Sequence, residues 1–252
     1  MRRIKTIVVF SALALAACED TSALPPVSAA VSPEGTPQPW PLPLSPEATA
    51  AENTLAVNNL VLLDNSGSMR ESECSADNKE KFEVAKDAIR RFAISVPLEE
   101  NLALAAFGDD GAKMFVPFGS GKAQREEFLA ALERVEANQG TPLRHALASA
   151  SRMVSEQASR QFGYGTYRII ILTDGQSTDG DPTLTAIGVV EFTPIEIHTV
   201  GFCLPSTDER HSLDVAGYTR YTTASNPDEL ARALASVRAE APVFDATAFV
   251  PE

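Results

Sequence analysis

Two short, unbroken apolar runs constrain how this chain can fold: Leu60-Val61-Leu62-Leu63, closed by Asp64, and Ile169-Ile170-Ile171-Leu172, closed by Thr173-Asp174. Runs of this length without a polar face are expected of strands buried on both sides, as in a parallel sheet covered by helices. The surrounding segments alternate in the same sense. Apolar residues at helical spacing mark 81–96, through Phe82, Ala85, Ile89, Phe92 and Val96, and 142–156, through Leu143, Ala146, Leu147, Ala150 and Val154. Pro142 suits a first helical position. Strands are expected over 55–63, 102–107, 113–118, 168–172 and 195–200, with an edge strand at 218–222. Gly108-Asp109-Asp110-Gly111 is a hairpin signal that makes its two strands antiparallel. Further helices are expected over 124–135, from near Pro182, and over 226–239, the last capped by Asn226 with Pro227 behind it. The pattern predicts an α/β domain with a mostly parallel central sheet, one antiparallel edge strand and helices on both faces.

Ligands of such open sheets bind beyond the carboxyl ends of the strands. Three oxygen-rich segments fall there. Asp64-Asn65-Ser66-Gly67-Ser68 follows the first apolar run, Thr141 precedes a helix, and Asp174 follows the second run. In this order they resemble the metal-ion-dependent adhesion site of von Willebrand factor type A domains, which is Asp-x-Ser-x-Ser, then Thr, then Asp. The resemblance covers 54–240 and implies a doubly wound, Rossmann-like fold. It also implies a metal site built from Asp64, Ser66, Ser68, Thr141 and Asp174, with Ser66 and Ser68 binding directly and the other three directly or through water. A Glu or Asp from a protein partner would supply one more oxygen. Five oxygen donors without nitrogen or sulfur suit Mg²⁺, with Mn²⁺ or Ca²⁺ as alternatives.

Competing features are weaker. Asp174 to Asp181 has the spacing of a calcium loop but lacks the bidentate Glu, and reads as a strand-to-helix turn with Asp181 near a helix start. His145, His198 and His211 are scattered, and His198 lies inside an apolar strand as a sheet residue. No Gly-x-Ser-x-Gly elbow surrounds Ser66 or Ser68, and no Gly-rich phosphate loop is present. The expected function is therefore binding, not catalysis. The alternatives are a non-catalytic subunit of a larger complex, a metal-dependent hydrolase or phosphatase, and a metal with a structural role only.

The front of the chain bears on location. Arg2, Arg3 and Lys5 precede an apolar stretch, 7–17, that is too short to span a bilayer and reads as an export signal. It ends in Leu15-Ala16-Ala17-Cys18, which resembles the lipobox of bacterial lipoproteins. That resemblance implies cleavage after residue 17, acylation of Cys18 and membrane attachment through lipid. The alternative is an ordinary signal peptide that leaves a plain thiol. Glu19, where an aspartate would signal inner-membrane retention, favours the outer membrane. Residues 18–53 contain eight prolines from Pro25 to Pro46 and form a semi-rigid spacer. Residues 241–252 are a tail.

With Cys18 lipidated, Cys74 and Cys203 remain, as a disulfide beside the metal loop or as two separate buried thiols; the bridge is preferred. The formal charge of −13 includes the basic leader, so the mature chain is more acidic still. That argues against nucleic acid as a partner.

Overall fold

A computed structural model describes residues 39–72, 78–108, 111–137, 140–204 and 220–239. Cys18, Cys74, His211 and residues 241–252 lie outside these. Six strands form one sheet in the order β3-β2-β1-β4-β5-β6: β1 Val57–Asp64, β2 Asn101–Gly108, β3 Gly111–Gly119, β4 Thr166–Thr173, β5 Ile195–Phe202 and β6 Arg220–Ala224. Only the β2/β3 pair is antiparallel. Among the described residues the α-helices are α1 Lys81–Ser95, α2 Gly121–Arg134, α3 Leu143–Arg160, α4 Thr183–Phe192 and α5 Pro227–Ala239.

The two faces of the sheet follow from residue parity. Val61 and Leu63 point into one core with α1, α2 and α5, while Leu60 and Leu62 point into the other with α3 and α4. All four are fully buried. Each such side chain contributes about 1.5–3 kcal/mol of hydrophobic stabilisation. That two-sided burial is why the run carries no polar position.

Some expectations move. Helix α3 starts at Leu143, so Pro142 is the cap and not the first helical residue; its carbonyl accepts the Ala146 N–H at 2.9 Å. The helix also runs a full turn further than its apolar pattern, to Arg160. The edge strand is Arg220–Ala224, parallel to β5, where 218–222 was expected. Asn226 does cap α5: its Oδ1 accepts the Glu229 N–H, and Glu229 reaches back to the Ser225 N–H.

The end of the Pro-rich segment is docked on the domain, where spacer was expected through residue 53. Trp40 packs edge-on against Tyr167, with centroids 5.1 Å apart. Ser159 Oγ donates to the Leu42 carbonyl at 2.5 Å, Arg160 Nε to the Thr49 carbonyl at 3.1 Å, and the Ala51 N–H to the Arg160 carbonyl at 2.7 Å. These contacts gather at the C-terminus of α3 and the start of β4. That is the pole of the sheet opposite the carboxyl ends of β1 and β4. Among the described residues no helix is long and apolar enough to cross a membrane.

Candidate functional site

Strand order reverses at β1, which has β2 on one side and β4 on the other, and the loops leaving β1 and β4 diverge to open a crevice. Leu63 pairs with Leu172 in register, so Asp64 and Thr173 are the next residues on each strand. Thr173 Oγ1 donates to Asp64 Oδ2 at 2.6 Å, and the Ser66 N–H donates to Asp64 Oδ1 at 2.8 Å. The carboxylate is fully buried. Burial pushes its pKa up from 3.8 to about 6; the hydrogen bonds from Thr173 and Ser66 oppose the rise and the neighbouring Asp174 adds to it.

After Asp64 the chain turns through a short 3-10 helix, Gly67–Arg70. Met69 anchors the turn with a fully buried side chain, and Arg70 donates to the Ala137 carbonyl at 2.5 Å. This holds Ser66 and Ser68 on one side: their hydroxyls are 3.0 Å apart, and Ser68 Oγ donates to Asp174 Oδ1 at 2.8 Å.

Thr141 arrives from the α3 side. Gly140 supplies the left-handed turn before it, with φ of 78°, a conformation costly for other residues. The Thr141 N–H donates to Thr178 Oγ1 at 3.1 Å, and the Thr178 N–H donates to the Thr141 carbonyl at 2.9 Å. A Cβ on Gly175 would sit 3.8 Å from Thr141 Oγ1, which places that hydroxyl beside Gly175, the residue after Asp174.

The loop after β4 does a separate job. Asp179 accepts the N–H groups of Arg144 and His145 at 3.0 and 2.9 Å, capping the start of α3 from a distant part of the chain. Ser177 Oγ and the His145 ring also bond to Asp179. Burial works against this charge, but these hydrogen bonds outweigh it and hold the carboxyl below its usual range. Asp181 bonds to the N–H and hydroxyl of Thr183 at the start of α4. The loop is thus the strand-to-helix turn expected. His198, on β5, lies buried with its Nε2 3.3 Å from Glu196 Oε2.

Lys81 was not anticipated. It is the first residue of α1, and its Nζ donates to Asp174 Oδ2 and to Glu71 Oε2, both at 3.0 Å. Burial alone would lower its pKa, but the hydrogen bonds to Glu71 and Asp174 raise it. A cation at a helix N-terminus opposes the helix dipole, and that oddity was the one sequence signal available. Thr173 and Thr178 were also missed, because their partners are distant in sequence.

The donor set fits a small hard cation. Hydrogen bonds of 3.0 Å between Ser66 and Ser68 and 2.8 Å between Ser68 and Asp174 bring these oxygens close enough together to share one ion. Among the described residues no group of three or more His, Cys, Asp or Glu is arranged to hold a metal, so a site here depends on hydroxyls. Beside Asn65 a cleft of about 320 Å³ opens between Lys113, Phe115, Arg134 and Glu136.

Residues 60–176 match the von Willebrand factor type A domain family. The chain is 28% identical over 171 residues to the uncharacterized protein YwmC of Bacillus subtilis (strain 168), covering 62% of this chain and 70% of that one. Among solved structures it is similar to the pilus adhesin SpaC of Lactobacillus rhamnosus GG, at 16% identity and a TM-score of 0.61. That match covers 77% of this chain and 31% of the adhesin, so the adhesin is much the longer protein. It is also similar to proximal thread matrix protein 1 of the mussel byssus with a zinc-occupied MIDAS motif, at 17% identity and a TM-score of 0.56, covering 75% of this chain and 48% of that one. The family match over 60–176 and the likeness of fold to these structures point the same way: the chain is similar to von Willebrand factor type A domains in sequence over that stretch and in architecture.

Proposed function

We propose that this chain is a divalent-metal-dependent protein-binding module, not an enzyme, anchored by lipid on Cys18 in a bacterial envelope. It faces the periplasm, with the outer membrane favoured. The observation that carries the reading is the meeting of Asp64, Ser66, Ser68 and Asp174 in one hydrogen-bonded cluster, with the Thr141 hydroxyl near Gly175, the residue after Asp174. These five residues would hold the ion; an oxygen-only donor set suits Mg²⁺, with Mn²⁺ or Ca²⁺ as alternatives. When bound, the ion supplies an electrophilic position open to an anionic oxygen. A Glu or Asp of a protein partner takes it, and the cleft beside Asn65 offers further contact area.

Three observations support the reading. The fold is similar to part of a pilus adhesin. The Ser66 and Ser68 hydroxyls bond to each other and Ser68 Oγ bonds to Asp174, and among the described residues neither hydroxyl is paired with a histidine that would activate it. Residues 39–53 dock at the pole opposite the site, so an anchor further toward the N-terminus would present the site outward. A Cys74–Cys203 bridge belongs to the same proposal. Cys203 is buried just after β5, held by its N–H to the Ala224 carbonyl at 2.8 Å.

The test is capture from crosslinked cells by wild type and Asp174→Ala, each with Mg²⁺ and with chelator. A partner retained only by wild type with Mg²⁺ is the expected result. Equal capture in all four arms would overturn metal-dependent binding and leave the ion a structural role.

A further inference from the structure

Lys81 combines features that local structure does not explain. It sits at the first position of α1, where a cation is disfavoured, and is only 4% exposed. One of its partners, the Asp174 side chain, is wholly buried, while the other, Glu71, is 57% exposed. Lys81 takes Asp174 Oδ2, and Ser68 takes Asp174 Oδ1. Asp174 therefore has a single oxygen on the side of the serine hydroxyls, and its charge is already shared with an ammonium.

We propose that Lys81 is a fixed positive charge built into the ligand site: it weakens the hold on the divalent ion and makes the loaded site demand an anion. This rests on the metal-dependent reading above. Two carboxylates and three hydroxyls balance a divalent ion without excess. Lys81 adds one buried positive charge to that balance. Glu71 pairs with it at 3.0 Å but offsets it only in part, because 57% of the Glu71 side chain is exposed and an ion pair facing water is worth less than a buried one. A neutral oxygen from an amide or water would leave the excess in place; a carboxylate cancels it. Lys81 is thus a positioning and specificity residue for an acidic ligand.

The experiment measures two affinities on the full chain: Mg²⁺ by calorimetry, and acetate on the Mg²⁺-loaded protein by NMR titration. Wild type is compared with Lys81→Met and Lys81→Arg. Lys81→Met should bind Mg²⁺ about tenfold more tightly and acetate about fivefold more weakly. Lys81→Arg, which keeps the charge, should stay within about threefold of wild type in both. A merely structural lysine would lower both affinities together on truncation. Movement of the two in the same direction, or no change in either, overturns the proposal. If Lys81→Met does not fold, Lys81→Gln carries the same comparison. A wild type that binds no Mg²⁺ overturns the metal reading itself, and this inference with it. A wild type that binds Mg²⁺ while Lys81→Met matches it in both measurements overturns the inference alone.

Discussion

Thr173 Oγ1 donates to Asp64 Oδ2 at 2.6 Å, joining the last residue of β4 to the last residue of β1. The hydrogen bond crosses the point where strand order reverses, so it fixes both the carboxylate and the mouth of the crevice. Thr173→Val keeps the shape and strand preference and removes the donor. Leaving a buried carboxylate oxygen unpaired costs about 1–3 kcal/mol. The expected result is a lower urea midpoint with an unchanged slope. An unchanged midpoint would show that the hydroxyl is dispensable.

Asp64 makes stability depend on pH in a definite direction. Its folded pKa of about 6 lies above the ordinary 3.8, so the folded state holds the proton more tightly. Ionisation therefore penalises the metal-free fold fully above about pH 6, and the penalty disappears as pH falls toward 3.8. In chelator at pH 7.5, Asp64→Asn should be more stable than wild type by about 1–3 kcal/mol, a gap that closes as pH is lowered. Mg²⁺ at a hundred times its dissociation constant should then stabilise wild type by about 2.7 kcal/mol and leave Asp64→Asn unmoved. Thermal melts across pH, with and without Mg²⁺, check both signs.

Asp179 caps α3 from another part of the chain, and its removal should loosen the helix start that follows Thr141. Asp179→Ala is expected to cost about 0.5–2 kcal/mol. Because the folded pKa is depressed, this contribution is present above the unfolded value of 3.8 and is lost as pH falls through the folded one. Denaturation of wild type and variant should differ at neutral pH and converge in strong acid. A constant difference would assign the effect to packing instead.

Trp40 ties the N-terminal segment to Tyr167, at the pole away from the site. Trp40→Ala should cost about 1–3 kcal/mol through lost aromatic contact. It should also open residues 39–53 to limited proteolysis while leaving Mg²⁺ affinity unchanged. A parallel loss of Mg²⁺ affinity would mean that the two poles are coupled.

Much of the site was legible because its main elements are local. Asp64, Ser66 and Ser68 lie in one turn that begins where an apolar run stops, and Asp174 follows another such run. What stayed hidden were partners brought together from distant segments. Lys81 and Asp174 come from different halves of the domain, as do Asp179 and the start of α3. Proline content ruled out a sheet or helix for 39–53, but it carried no information about the face on which Trp40 rests.

By itself the sequence determined which segments are buried strands, which helix faces are apolar, and which oxygens lie at strand ends. Those properties follow from residue spacing, because strand and helix periodicities are local. Only the tertiary structure decided that Thr173 would support Asp64, that Lys81 would occupy half of Asp174, and that the N-terminal segment would dock at the opposite pole. Each of these depends on a hydrogen bond or ring contact that is strong only at contact distance. The distance between two residues far apart in sequence is set by how the layers pack, and no local pattern encodes it.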